Sequence, residues 1–140
     1  MSAVQNKAIM RQFVNETNLD NLKTLLAPDF VLHQADGPHN REKFLQHLTY
    51  FLTAFSDTVF TVEEQIAEGD RVVTRGTWSG THSGDFQGLP PSGKQIAINA
   101  VLFDRIVDGK IVEHRSQFDM LTLLQQLGVV PPPQPAQTQS

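Results

Sequence analysis

QIAINAVLFDRIVDGKIVEHRSQF, residues 95–118, decides the fold. Two runs rich in Ile, Val, Leu and Phe flank Asp108-Gly109, a dipeptide that accepts positive φ and reads as a hairpin turn. Two registers are open. A two-residue turn pairs position 107 with 110 and sets Leu102 beside Arg115. A three-residue loop with Gly109 left-handed pairs 106 with 110, so that Leu102 faces His114 and Ala100 faces Ser116. The second register gathers Ile98, Ala100, Leu102, Ile106, Val112 and Phe118 on one face and Asn99, Arg105, Glu113, Arg115 and Gln117 on the other. The first mixes the two sets. A one-residue slip exchanges buried for exposed side chains, so the expectation is the three-residue loop with the even-numbered face inward. That face also carries three polar residues, Asp104, His114 and Ser116.

Upstream of this hairpin the same period of two continues. Phe60, Val62 and Ile66 alternate with polar residues, Glu68-Gly69-Asp70 turns the chain, and Val72 to Trp78 forms a second long strand. Alternation sets Trp78 and His82 on the face of Val72. The segment from Gly80 to Gly93 holds four glycines and two prolines and reads as a flexible lip, with Phe86 and Leu89 touching whatever enters. Before Asp57 the period is helical. Val4, Ala8, Ile9, Met10, Phe13 and Val14 share a face. Asn18 and Asp20 start a short second helix through Leu22, Leu25 and Leu26. Residues 41–55 form a third, with an apolar stripe of Phe44, Leu45, Leu48, Phe51, Leu52 and Phe55 that reads as core rather than ligand site. Leu121, Leu123, Leu124 and Leu127 close the chain with a short helix stopping at Gly128. Helices followed by an antiparallel meander give an α+β domain over residues 1–130. The Pro/Gln-rich stretch 131–140 reads as a mobile tail.

Composition narrows the function. The 140 residues carry no cysteine, which excludes a disulfide scaffold, a thiolate nucleophile and zinc-ribbon or iron–sulfur sites. With 11 basic against 15 acidic residues, a net charge of −4 and no basic stripe, nucleic acid is not the expected partner. No apolar run reaches the roughly 18 residues of a membrane span, and the N-terminus lacks a signal-peptide pattern, so no membrane and a cytoplasmic address are expected. The five histidines are scattered without paired ligand spacing, so no metal and no other cofactor are expected.

Four stretches together carry a family resemblance: Glu68-Gly69-Asp70-Arg71-Val72-Val73, Gly80 through Gly93, Asp108-Gly109-Lys110-Ile111-Val112-Glu113-His114, and Asp119 through Gly128. In this order the chain resembles the SnoaL-like polyketide cyclase and ester cyclase family from about residue 4 to residue 130. The resemblance implies the cone-shaped fold of nuclear transport factor two, with three N-terminal helices packed on a strongly curved, mostly antiparallel sheet and a short C-terminal helix. It also implies a metal-free intramolecular aldol reaction on a polyketide, an interior aspartate as acid/base and a histidine on the neighbouring strand. Those two positions fall on Ser116 and Leu102. A serine hydroxyl takes no carbon-bound proton at neutral pH without a base beside it, and leucine stabilises no oxyanion. The related limonene epoxide hydrolases use an acid that also falls on Ser116.

His114 and Asp104 are therefore the candidate catalytic residues, and Trp78, His82, Phe86, Leu102, Ser116 and Phe118 the candidate pocket. A buried Asp104 would orient His114 or act as a base with a raised pKa. The plainer alternative sets Asp104 at the solvated end of the sheet, and is the one the sequence favours. Asp119 directly precedes the last helix and reads as its N-cap, worth about 1 kcal/mol. Three functions stay open: an enzyme of altered chemistry (cyclase-, isomerase- or hydrolase-like) on a small apolar, oxygenated or polyketide-like molecule; a binding pocket without turnover; or an assembly domain. A homodimer is compatible with all three.

Overall fold

Side-chain caps start every helix in the computed structural model, which describes residues 2–131. Ser2 opens α1 (Ala3–Asn15) with a reciprocal pair, its hydroxyl accepting from the Gln5 N–H and the Gln5 side chain accepting from the Ser2 N–H. Asn18 caps α2 (Leu19–Leu25), Asn40 caps α3 (Arg41–Ala54) and Asp119 caps α4 (Met120–Gln126), each accepting the N–H three residues on. The third helix ends one residue earlier than its apolar stripe suggests, because Phe55 already belongs to a strand and is buried there. The stretch 131–140, expected to be a mobile tail, lies outside the described residues beyond Pro131.

The strands are β1 (Leu26–Gln34), β2 (Gly37–Asn40), β3 (Phe55–Glu68), β4 (Arg71–His82), β5 (Gln95–Val107) and β6 (Lys110–Phe118). They form one six-stranded sheet in the order β2-β1-β6-β5-β4-β3. All neighbours are antiparallel except β1 and β6, so the sheet is mixed but mostly antiparallel. Together with N-terminal helices and a short C-terminal helix this is the expected α+β class. Register shifts near Ser56–Val59 and Val62–Glu64 bend β3 against β4. Gly76 lies at the second of these. A Cβ there would sit 2.1 Å from the Thr61 carbonyl oxygen and 2.5 Å from the Phe60 ring, so only glycine permits this approach.

The decisive hairpin differs from its expected register. The turn has two residues, with Val107 opposite Lys110, and both Asp108 (φ 51°) and Gly109 (φ 77°) are left-handed, as a type I′ turn requires. The three-residue loop is therefore incorrect. The expected segregation of faces nonetheless appears, through a different device. Ile106 pairs with Ile111 and Arg105 with Glu113, so Val112 is an extra residue in β6. This bulge restores the phase: Asp104 pairs with His114, Leu102 with Ser116 and Ala100 with Phe118. Ile111, not Val112, fills the inner face beside the turn; it is fully buried and Val112 is half-buried.

Two apolar clusters hold the layers together. The first packs α1, α2 and α3 on the inner face of the sheet through Met10, Phe13, Leu22, Phe44, Leu102 and Ile106. The second joins Phe55, Phe86, Ile96, Ile98, Leu123 and Leu127. The Gln126 side-chain amide pairs with both the N–H and C=O of Ala97, occupying the ladder where β6 has ended. No helix among the described residues is long and apolar enough to cross a membrane.

Candidate functional site

Between the clusters lies a cavity of about 390 Å³ bounded by α1, α3 and the inner face of β4, β5 and β6. Its walls are apolar: Phe13, Phe44, Phe51, Phe60, Trp78 and Leu102. Asn15 fixes one wall, with its amide nitrogen donating to the Phe60 carbonyl and its oxygen accepting the Phe60 N–H, both at 2.9 Å. Exposed Thr17, Gln34, Gln117 and Phe118 form the mouth. The stripe on α3 thus serves core and cavity together. Phe44 belongs to both, while Leu48, Phe51 and Leu52 are half-buried and line the cavity, so the reading of the stripe as core alone is corrected.

His114 is the polar group deepest in this wall. The residue is 4% exposed, and its ring is enclosed by Phe13, Phe30 and Phe44, with ring centroids 5.5, 6.4 and 5.3 Å away. Nδ1 is 2.5 Å from Oδ1 of Asp104, its direct cross-strand partner. Asp104 is fully buried between Val72 of β4 and His114 of β6. The plainer alternative, Asp104 at the solvated end of the sheet, is therefore incorrect: alternation along β5 sets it inward beside Val72, and the bulge at Val112 brings His114 of β6 directly opposite it. Burial pushes the Asp104 carboxyl above the usual carboxylate range, and its interaction with His114 pulls it partly back. Its other oxygen, Oδ2, is buried without a partner among the described residues. With Nδ1 held by Asp104, Nε2 is the nitrogen left for whatever fills the cavity.

The remaining candidates divide. Trp78, Leu102, Ser116 and Phe118 line the cavity with His114, and Asp104 stands directly behind it. His82 and Phe86 are elsewhere. Phe86 is fully buried among Phe51, Phe55 and Tyr50 in the second cluster, and His82 packs on Phe55 with Nδ1 2.8 Å from the Ser92 hydroxyl. The segment 83–94 is pinned rather than a lip. Ser83 and Gly84 donate to the Ala54 carbonyl, Gly93 to His82, and Phe86 exchanges two bonds with Leu89. A Cβ at Gly84 would lie 2.2 Å from the Thr53 carbonyl oxygen, so the glycine allows this seating. Asp119 caps α4 as expected, and bonds from the Thr122 hydroxyl and N–H hold its carboxyl below the usual range.

Sequence reasoning missed His47. It lines the cavity from α3, half-buried, one turn along from Phe44. The helical period that gathers Phe44, Leu48 and Phe51 also includes position 47, and that signal was available. Among the described residues no group of three His, Asp or Glu side chains is arranged to hold a metal ion.

Helices layered on one bent, mostly antiparallel sheet, with a polar group set into an apolar cavity between them, define a nuclear transport factor two-like pocket protein. Residues 6–127 match the model of the SnoaL-like polyketide cyclases, and the chain belongs to that family. It is 32% identical over 130 residues to the aklanonic acid methyl ester cyclase DauD of Streptomyces sp. (strain C5), covering 86% of this chain and 80% of that protein. It is 33% identical over 124 residues to the nogalonic acid methyl ester cyclase of Streptomyces nogalater, covering 81% and 88%. Among solved structures, AclR from Streptomyces galilaeus superposes with a TM-score of 0.88 at 33% identity, over 96% of this chain and 87% of that one. Wild-type IdmH from Streptomyces antibioticus gives 0.78 at 33% identity, over 91% and 99%.

Proposed function

We propose that this protein binds a small apolar, oxygenated, polyketide-like molecule in the cavity and that His114, oriented by Asp104, removes a proton from carbon next to a carbonyl. The carrying observation is the buried Asp104–His114 pair at 2.5 Å on the wall of an otherwise apolar cavity. The roles follow from chemistry. Asp104 accepts from Nδ1–H, fixing the tautomer that leaves the Nε2 lone pair facing the ligand, and it stabilises the imidazolium formed when Nε2 takes the proton. The Phe13, Phe30 and Phe44 rings exclude water from the transfer.

The resemblance supports this reading. The family's aspartate and histidine positions are Ser116 and Leu102, which pair directly across β5 and β6. The next inward-facing pair towards the turn is Asp104 and His114. The two residue types recur, with their strands exchanged and the pair moved two residues along the hairpin. The ester cyclase relatives make proton abstraction beside a carbonyl the reaction class to test first.

The test is deuterium incorporation into 2-tetralone, a bicyclic ketone with acidic protons between ring and carbonyl. The wild type is expected to accelerate exchange in D2O over buffer, and His114→Gln to lower that acceleration by about 10²–10⁴-fold. Equal acceleration by wild type and His114→Gln, or none by a wild type that binds the ketone, overturns the catalytic role. Binding is read independently from Trp78, the single tryptophan, which lines the cavity.

We also infer a homodimer through the outer face of the sheet. Val101 and Phe103 are about 40% and 39% exposed there, beside Arg105, Glu113 and Arg115, and an apolar centre with a charged surround suits a symmetric contact.

A further inference from the structure

Removing a carbon-bound proton leaves charge on the neighbouring oxygen. The C–H electron pair moves towards the carbonyl, the proton goes to Nε2 of His114, and the oxygen becomes an enolate that an apolar cavity does not solvate. Leu102 supplies no donor. Among the polar residues lining the cavity, Asn15 is committed to both backbone groups of Phe60. Thr17, Gln34 and Gln117 stand exposed at the mouth. Glu16 repels an anion, and one of its oxygens accepts the Asn18 N–H. Thr58 and Ser116 offer single hydroxyls, and Trp78 an indole N–H on the sheet.

His47 differs in kind and place: it is a nitrogen donor carried on α3, the helical wall, while His114 stands on the sheet. His47 is half-buried, it lines the cavity, and neither ring nitrogen is hydrogen-bonded among the described residues. Its ring lies 5.7 Å from that of His39, whose Nε2 is 2.9 Å from the Asp36 carboxylate. The charges of His39 and His47 both help hold the Asp36 carboxyl low, behind its hydrogen bond to His39. One turn away, Phe44 touches the His114 ring, and His47 on α3 and His114 on β6 line the same cavity.

We propose that His47 donates a hydrogen bond to the ligand oxygen that takes up negative charge while His114 removes the proton. This rests on the reading of the cavity given above, and it makes the protein selective for ligands bearing an enolisable carbonyl or an acidic phenol.

The test uses 2-naphthol, an apolar bicycle with one acidic oxygen. Quenching of Trp78 reports binding, and the naphtholate absorbance of the bound probe reports its ionisation. The wild type is expected to hold at least tenfold more naphtholate, relative to naphthol, than His47→Phe at the same pH. His47→Gln, which keeps an N–H donor, falls between. Equal ionisation in wild type, His47→Phe and His47→Gln, with quenching intact, overturns the role of His47 and leaves the cavity reading standing. Absence of quenching by both 2-naphthol and 2-tetralone overturns the cavity reading itself, and this inference with it.

Discussion

Oδ2 of Asp104 is buried with no hydrogen-bond partner among the described residues, and such an orphan costs on the order of 1–3 kcal/mol. An apolar residue would fill the same place in β5 without that cost, so the carboxylate is best understood as kept for its effect on His114. The consequence for stability has a definite sign. The folded-state pKa of Asp104 is raised above 3.8, mainly by burial. Such a group contributes stability fully below its unfolded value and loses that contribution as pH rises through the folded one. Asp104→Asn, which cannot ionise, is therefore expected to gain stability relative to wild type from acid towards neutral pH, while losing exchange activity on 2-tetralone. Thermal melts between pH 4 and 8 check this; a melting-temperature difference that does not change with pH contradicts it. At this scale the sequence made the pair visible by alternation alone. It did not show that the two stand directly opposite each other, because that depends on a bulge that leaves no distinctive residue at Val112.

The hairpin of β5 and β6 shows where pattern reading works and where it stops. Segregation of apolar from charged residues assigned the inward face correctly, yet it selected the wrong turn, since a bulge and a three-residue loop shift the phase equally. The caps at Asn18 and Asp119 were legible because their chemistry is local. The seating of the 83–94 segment was not, since Phe86 is buried through partners far away in sequence, Phe51 and Phe55. That seating has its own test. Phe86→Ala is expected to destabilise the fold by about 3–5 kcal/mol, as for any fully buried phenylalanine, in denaturant unfolding. A flexible lip would leave the midpoint unchanged. The α3 stripe gives the matching lesson: one helical face can serve core at Phe44 and cavity at Phe51, and periodicity does not separate the two.

On the scale of the whole molecule, the sheet has one face devoted to helices and cavity and another left open. If a second copy covers the open face, Phe103→Arg is expected to convert the dimer to monomer in sedimentation velocity while leaving Trp78 quenching by 2-tetralone intact. A monomeric wild type removes the dimer from the account without touching the cavity. The proposed catalysis requires Asp104 to hold His114 so that Nε2 faces the ligand as a base. Long-range proton–nitrogen correlation spectra of the histidine-labelled protein measure this directly. At neutral pH the expected result for His114 is the Nδ1–H tautomer, with an Nε2 resonance that shifts as 2-tetralone saturates the quenching of Trp78. A proton on Nε2 in the free protein, or an Nε2 resonance indifferent to saturating ketone, would contradict it.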